Sequence, residues 1–221
     1  MIKYLSNLLD WIYRRKCYCC NSSVESVPLC SKCFENLAYN SFSANRIING
    51  SDIYVAGIYE KNLQKIIRGL KYHRQKELGY YIAKFMYEYY INLGLNKEFL
   101  VVPTPMYKTR QKKRKYNHME IVTKEFCNLT GYKMNTTLIK RIKDTKTQYK
   151  LSKSEREENL ANAFEVNLEE YKGEPILLLD DICTTGSTFE SMVEELHKAG
   201  IHNITCIATT TPNSNFCYIG N

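Results

Sequence analysis

The densest run of chemically capable side chains is Asp180, Asp181, Thr184, Thr185, Gly186, Ser187 and Thr188, directly after the apolar stretch Ile176, Leu177, Leu178 and Leu179. The pattern is two carboxylates at the end of a buried strand, then a loop of small residues leading into a helix. In open α/β sheets, ligands bind in the crevice outside the carboxyl ends of the strands. The loop suits a phosphate. Gly186 permits close backbone approach, the four hydroxyls can donate, and a helix N-terminus turns free N–H groups inward. Two carboxylates beside a phosphate alone would repel it, so they need another partner. A vicinal diol answers, because hydroxyls donate to carboxylates, each bond to a charged group contributing about 1.5–3 kcal/mol. Acid at one end and an amide cradle at the other describe a 5-phosphorylated ribose. A Walker-type loop is the wrong comparison, since no Gly-Lys-Ser/Thr follows. Helix capping alone would use one hydroxyl, and it gives no reason for two acids and four hydroxyls together.

A second cluster lies near the start of the chain. Five of the nine cysteines fall between Cys17 and Cys33, and Cys17, Cys20, Cys30 and Cys33 form two Cys-x2-Cys knuckles nine residues apart. That spacing lets four thiolates surround a tetrahedral zinc ion. Cys19 could replace Cys17 or Cys20, but only Cys17 with Cys20 keeps two residues between ligands. An iron–sulfur cluster would accept the same ligands, although nothing nearby suggests electron transfer. Four cysteines leave no open position for water, so the expected role of zinc is structural. It would staple a segment too short to build its own core. An odd cysteine count with one tight cluster fits metal binding in a reducing cytoplasm better than a disulfide framework.

The composition of the whole 221-residue chain is ordinary for a folded protein, at 44% hydrophobic and 24% charged residues. The formal net charge of +8 favours anionic partners, phosphates or nucleic acid. No run of about 18 apolar residues exists, so no membrane insertion is expected. Ile2, Leu5, Leu9 and Ile12 read as one face of an amphipathic helix packing on the body, and Lys3, Asp10 and the following basic residues argue against a secretory signal.

Strands and helices must alternate to position these groups. Ile53–Tyr59 reads as a strand, and Leu63, Ile66, Ile67 and Leu70 keep helical spacing. A second helix carries Leu78, Tyr81, Ile82, Phe85, Tyr89 and Leu93, with Gly94 as its stop. Phe99–Val102 predicts a buried strand, followed by a basic loop from Pro103 to about Lys115. A helix from about Asn117 to near Gly131 follows, then a strand over Leu138–Ile142 and a long polar stretch to about Asn162. Ile176–Leu179 predicts a central parallel strand covered on both faces. The next helix carries Phe189, Met192, Val193 and Leu196, and Ile204–Thr210 is a last strand. Such alternation argues for an α/β fold with a mostly parallel sheet flanked by helices. The expected division is a head over residues 1–45 and an α/β domain over residues 46–221.

An apolar strand, two acids, two intervening residues and Thr184-Thr185-Gly186-Ser187-Thr188 resemble the signature of the type I phosphoribosyltransferases. Val101-Val102-Pro103-Thr104-Pro105, the basic run ending Arg114-Lys115-Tyr116-Asn117, and the cysteine head narrow the likeness to the competence protein F (ComF) family. Leu70-Lys71-Tyr72 upstream and Arg141, Lys143-Asp144-Thr145, Gln148, Leu151, Arg156 and Asn159-Leu160 downstream add to it. The resemblance covers nearly the whole chain. Two positions depart from the family's Arg-Gly-Phe-Asn-Gln: Lys115 stands where it has glycine, and His118 where it has glutamine.

The resemblance implies binding of 5-phosphoribosyl-1-pyrophosphate (PRPP) with a magnesium ion. Asp180 and Asp181 would hold the ribose at the catalytic centre, and Thr184, Thr185, Gly186, Ser187 and Thr188 the 5-phosphate. The segment Lys108–Lys115 holds six basic residues in eight positions. It corresponds to the pyrophosphate loop, with Lys108, Arg110 and Arg114 as candidate contacts. The stretch Ile142–Asn159 occupies the place of the flexible catalytic loop that closes over PRPP. No residue is identifiable as a general base, and no segment reads as a purine or pyrimidine pocket, so the acceptor is unassigned. A family link to DNA uptake in natural transformation implies competence proteins as partners. It also suggests an alternative: a non-catalytic, single-stranded DNA-binding factor that uses the PRPP site for regulation. In that reading Tyr107, Tyr116 and Tyr149 among the basic residues would stack on bases.

Overall fold

The computed structural model describes residues 15–24, 27–95, 97–144 and 162–212. The amphipathic segment read over Ile2–Ile12, Tyr149, and nearly all of the polar stretch after Ile142 lie outside these residues. Two short strands, β1 (Arg15–Lys16) and β2 (Ser23–Val24), pair antiparallel around the first cysteine knuckle, and α1 (Ser31–Glu35) carries the second. The body begins with β3 (Arg46–Ile48) and β4 (Ser51–Ile58), then α2 (Lys61–Tyr72) and α3 (Leu78–Asn92). The order continues with β5 (Leu100–Pro103), α4 (Lys108–Arg114), α5 (His118–Thr130), β6 (Lys133–Met134), β7 (Ile139–Arg141) and β8 (Phe164–Val166). It ends with β9 (Ile176–Ile182), α6 (Ser187–Lys198) and β10 (Ile204–Thr211).

Six strands form the main sheet in the order β3-β4-β10-β9-β5-β6. All neighbours are parallel except β3, which runs antiparallel along β4. β9 lies inside this sheet, between β10 and β5, and its pleat divides the molecule into layers. Leu177 and Leu179 face a core shared with α2, α3, α5 and the cysteine head, while Ile176 and Leu178 face a core shared with α6 and the β7–β8 ribbon. Near-continuous apolar runs are what a strand covered on both faces requires. On α2, the predicted Leu63, Ile66, Ile67 and Leu70 are all buried. α3 crosses α5 closely, and a Cβ at Gly79 would come within 2.5 Å of the Ile121 side chain. Gly94, at φ +65°, follows the end of α3 as expected.

Two expectations change. The basic segment is not a loop. Lys108–Arg114 is helical, because Lys, Arg and Gln are good helix formers and charge repulsion within two turns is relieved by solvent. Lys115 ends that helix at φ +71°, a left-handed conformation that glycine adopts freely and lysine adopts at some cost. The strand predicted over Leu138–Ile142 exists as β7, but it pairs only with β8 in a separate two-stranded ribbon. β7 and β8 are consecutive strands among the described residues, separated in the sequence by the long polar stretch.

Candidate functional site

The acid pair belongs to β9 itself rather than to the loop after it. Successive residues of a strand point to opposite faces. Asp181 therefore sides with Leu177 and Leu179, toward α2 and α5, and Asp180 with Ile176 and Leu178, toward the β7–β8 ribbon. Both carboxylates are buried. One oxygen of Asp181, Oδ2, receives Lys71 Nζ at 2.5 Å and also the His118 imidazole Nε2. Burial works against the Asp181 charge, yet Lys71 and His118 outweigh it and hold this carboxyl well below the usual range. Asp180 Oδ1 accepts the Asp181 backbone N–H at 2.9 Å. Burial, and then the neighbouring Asp181 charge, push the Asp180 carboxyl up to about 7. The nearby Arg141 of β7 is itself lowered to about 10, mainly by burial and then by Arg110, against the pull of Asp180 and Asp144.

Beyond β9 the chain turns through Thr184 and Thr185 to Gly186, the residue before α6. Gly186 sits at φ +87°, and a Cβ there would come within 2.8 Å of Ile48 Cδ1 on β3. Conformation and space thus both require glycine. Thr185 Oγ1 and Ser187 Oγ lie 2.7 Å apart, and Arg46 Nη1 donates to the Thr185 carbonyl, tying the loop to the edge strand. Gly186 has no side chain with which to cap α6, Thr185 Oγ1 accepts from the Ser187 N–H at 3.4 Å, and this helix start borders a concavity lined by Asp180, Thr184, Gly186, Ser187 and Thr188. Acid and amide cradle share one rim.

The basic helix α4 meets α5 through Arg114 and the segment after β7 through Thr109 and Arg110. Of its three candidate contacts, Arg114 reaches the acid pair indirectly: Nη1 is 2.7 Å from His118 Nδ1, and the guanidinium lies 5.3 Å from the Tyr72 ring. Arg110 Nε is 3.9 Å from Asp144 Oδ1, whose partner oxygen accepts from Thr109 at 2.6 Å. Lys108 is exposed. Asn117 fixes the start of α5 twice, accepting from Met119 N at 3.0 Å and donating to the Thr104 carbonyl at 3.1 Å. Tyr116 is half-buried, with its hydroxyl bonded to the Leu70 carbonyl.

Lys71, His118, Arg46 and Arg141 are the residues that periodicity and spacing did not single out. Lys71 and Arg141 entered the sequence reading only inside resembling segments, and His118 only as a departure. No local pattern marks a lone lysine at the end of a helix as the partner of an aspartate 110 residues later.

In the head, the Sγ atoms of Cys17, Cys20, Cys30 and Cys33 all lie within 4.8 Å of one another. Cys20 and Cys30 are 3.8 Å apart, close to the edge of a tetrahedron with metal–sulfur bonds of about 2.3 Å. Backbone N–H groups of Cys30 and Cys33 donate to Cys17 Sγ and Cys30 Sγ, each at 3.4 Å, which favours thiolate sulfur. Hydrogen bonds from the Ser22 hydroxyl and amide lower Cys20 to about 6. Cys19 is different. Burial pushes it up to about 11, and its Sγ points at the Asn62 carbonyl of α2, 3.8 Å away. The cluster can hold a tetrahedral metal ion such as zinc, and Cys19 is not among its ligands.

This sheet, with its rim of acids and its phosphate-type loop, has the arrangement that the resemblance to the type I phosphoribosyltransferases implied. Residues 121–215 match the family model described as "Phosphoribosyl transferase domain". More particularly, the chain is similar along most of its length to Competence protein F of Haemophilus influenzae, at 26% identity over 198 residues, or 85% of this chain and 86% of that protein. It is also similar to DNA utilization protein YhgH of Salmonella typhimurium, at 25% over 190 residues, 82% of this chain and 83% of that protein. A solved hypoxanthine phosphoribosyltransferase from Staphylococcus aureus overlaps 66% of this chain and 69% of its own at 12% identity, with a TM-score of 0.38. Among the described residues, no helix is long and apolar enough to cross a membrane.

Proposed function

We propose that the chain binds PRPP, with its residues 46–221 as the phosphoribosyltransferase-like body and residues 1–45 as a head held by structural zinc on Cys17, Cys20, Cys30 and Cys33. The observation that carries this reading is the start of α6 behind the left-handed Gly186, on the same rim as the buried Asp180. The 5-phosphate takes the N–H groups and hydroxyls of Thr184, Thr185, Gly186, Ser187 and Thr188. The ribose hydroxyls reach Asp180 from one side of the strand end and the Oδ1 of Asp181 from the other. Lys71 already offsets the Asp181 charge on Oδ2 and His118 bonds to the same oxygen, so the rim repels an incoming pyrophosphate less than two bare carboxylates would. Arg114, Arg110 and Lys108 face the leaving pyrophosphate. A magnesium ion bound together with PRPP would supply positive charge to offset that developing on the leaving group. Transfer would then break the bond from the anomeric carbon to pyrophosphate as an acceptor nucleophile, still to be identified, bonds to that carbon.

Calorimetric titration with PRPP and magnesium at pH 8 tests this. Asp180→Asn should weaken binding about ten- to hundredfold, the equivalent of one hydrogen bond to a charged group. A folded, metal-loaded native protein that fails to bind PRPP would sink the reading.

A second reading, single-stranded DNA binding by a cytoplasmic factor in DNA uptake, has its own observation and the relatives' names behind it. Tyr72 is 60% exposed and lies within 5.8 Å of the Arg68 guanidinium as well as near Arg114, and Lys76 Nζ is 5.0 Å from the Tyr116 ring. Basic groups interleaved with aromatic rings suit a stacked, phosphate-linked strand. The groove between the head and α3 carries Glu35 and Glu88 against Lys84, so this reading assigns DNA to the α2–α4 surface instead. A steep loss of oligonucleotide affinity with salt supports it, and a flat salt dependence excludes it.

A further inference from the structure

We propose that His118 is a positioning residue: as a neutral imidazole with its proton on Nε2, it bridges Asp181 to Arg114 and thereby sets a guanidinium of the basic helix against the acid rim. The role it serves rests on the PRPP reading above, whereas the bridge itself does not.

The two contacts of His118 determine its protonation. Nδ1 faces Arg114 Nη1 at 2.7 Å, and Nε2 faces Asp181 Oδ2. A guanidinium has donors only and keeps its charge, so the ring nitrogen facing it must offer a lone pair. The single ring proton is therefore on the other nitrogen and is donated to the carboxylate. An imidazolium would set donor against donor on the Arg114 side. The charged groups facing the ring are Asp181 on β9, Lys71 on α2 and Arg114 on α4. Burial lowers the imidazole below its ordinary value, and Lys71 and Arg114 act in the same sense while Asp181 opposes them. The backbone places the ring equally firmly, since His118 is the first residue of α5 behind the doubly bonded Asn117.

The bridge explains how a solvent-facing helix acquires one inward arm. α4 buries none of its residues, yet Arg114, its last, is held through His118 within one side chain of Asp181. Arg114 would otherwise extend into water. Glutamine offers one amide donor and one carbonyl acceptor, so it can reproduce the neutral bridge, and it cannot gain a proton.

Two measurements decide the matter. In 15N NMR of the imidazole at pH 7, the native protein should show a protonated Nε2 and an unprotonated Nδ1; an Nδ1–H tautomer or an imidazolium overturns the bridge. This needs neither PRPP nor a variant. In PRPP titrations at pH 8, His118→Ala should weaken binding by about tenfold or more, and His118→Gln should recover most of that loss. Equal weakening by the two variants, or none by alanine, overturns the positioning role. Failure of the native protein to bind PRPP sinks the proposed function, and the tautomer result then judges the bridge alone.

Discussion

The cysteine head and the acid pair make opposite use of sequence distance. Cys17, Cys20, Cys30 and Cys33 are spread over the start of the chain, and their sulfurs converge on one point. Asp180 and Asp181 are adjacent, and the pleat of β9 sends their side chains to opposite sides of the sheet. The first group meets at one point although its burial differs, Cys17 and Cys33 being buried and Cys20 exposed. The second is split: Asp181 is clamped by Lys71 and His118, while Asp180 has its carboxyl raised. The lesson is that spacing along a chain predicts convergence only when the intervening backbone is a short turn. In a strand, neighbours are kept apart.

Removing metal from the head should have the largest effect. Structural zinc contributes on the order of 10 kcal/mol to the folding of comparable small sites. Cys30→Ser, or a strong chelator, should abolish stoichiometric zinc and lower the melting temperature, read by metal analysis alongside thermal unfolding. A full melting temperature without metal would show that the head packs on α2 and α3 unaided.

Asp181→Asn comes next. It removes the charge that pairs with Lys71, whose side chain is only 12% exposed, and loss of a buried partner costs about 3 kcal/mol or more. Its folded-state carboxyl lies below the unfolded value. The stability it contributes is therefore present above about pH 4 and lost as pH falls further. Urea unfolding at pH 7 should show the deficit, and an unchanged midpoint would mean that Lys71 finds water instead.

Asp180→Asn should have the smallest effect, with the opposite pH dependence. With its folded-state carboxyl near 7, Asp180 binds a proton more tightly in the native protein than in the unfolded chain. Native stability is then highest below about pH 4 as far as this group is concerned, and it declines as pH rises toward and through 7. Between pH 5 and 8 the asparagine variant should gain on the native protein, by a few kcal/mol at most, a pKa unit being about 1.4 kcal/mol. Parallel stability curves for the two proteins would show that adjacent acids are not divided as the pleat divides them.

Much of this molecule was legible from local pattern. The apolar run before Asp180 specified a buried strand, because a segment covered on both faces has no polar alternation. The positions on α2 and α3 followed from helical spacing. Glycine at 186 followed from the need for close backbone approach, and the knuckles from a ligand spacing that short turns enforce. The basic run was misread as a loop because charge density masked ordinary helix propensity, and the left-handed Lys115 that ends it has no composition signal. What only the tertiary structure decided is who meets whom across the sheet. Lys71, His118 and Arg114 reach the rim because parallel strands and their crossovers bring helix ends together from distant parts of the chain, and Arg46 reaches it from the antiparallel edge strand β3. Such meetings depend on long-range packing, which leaves no period in the sequence to read.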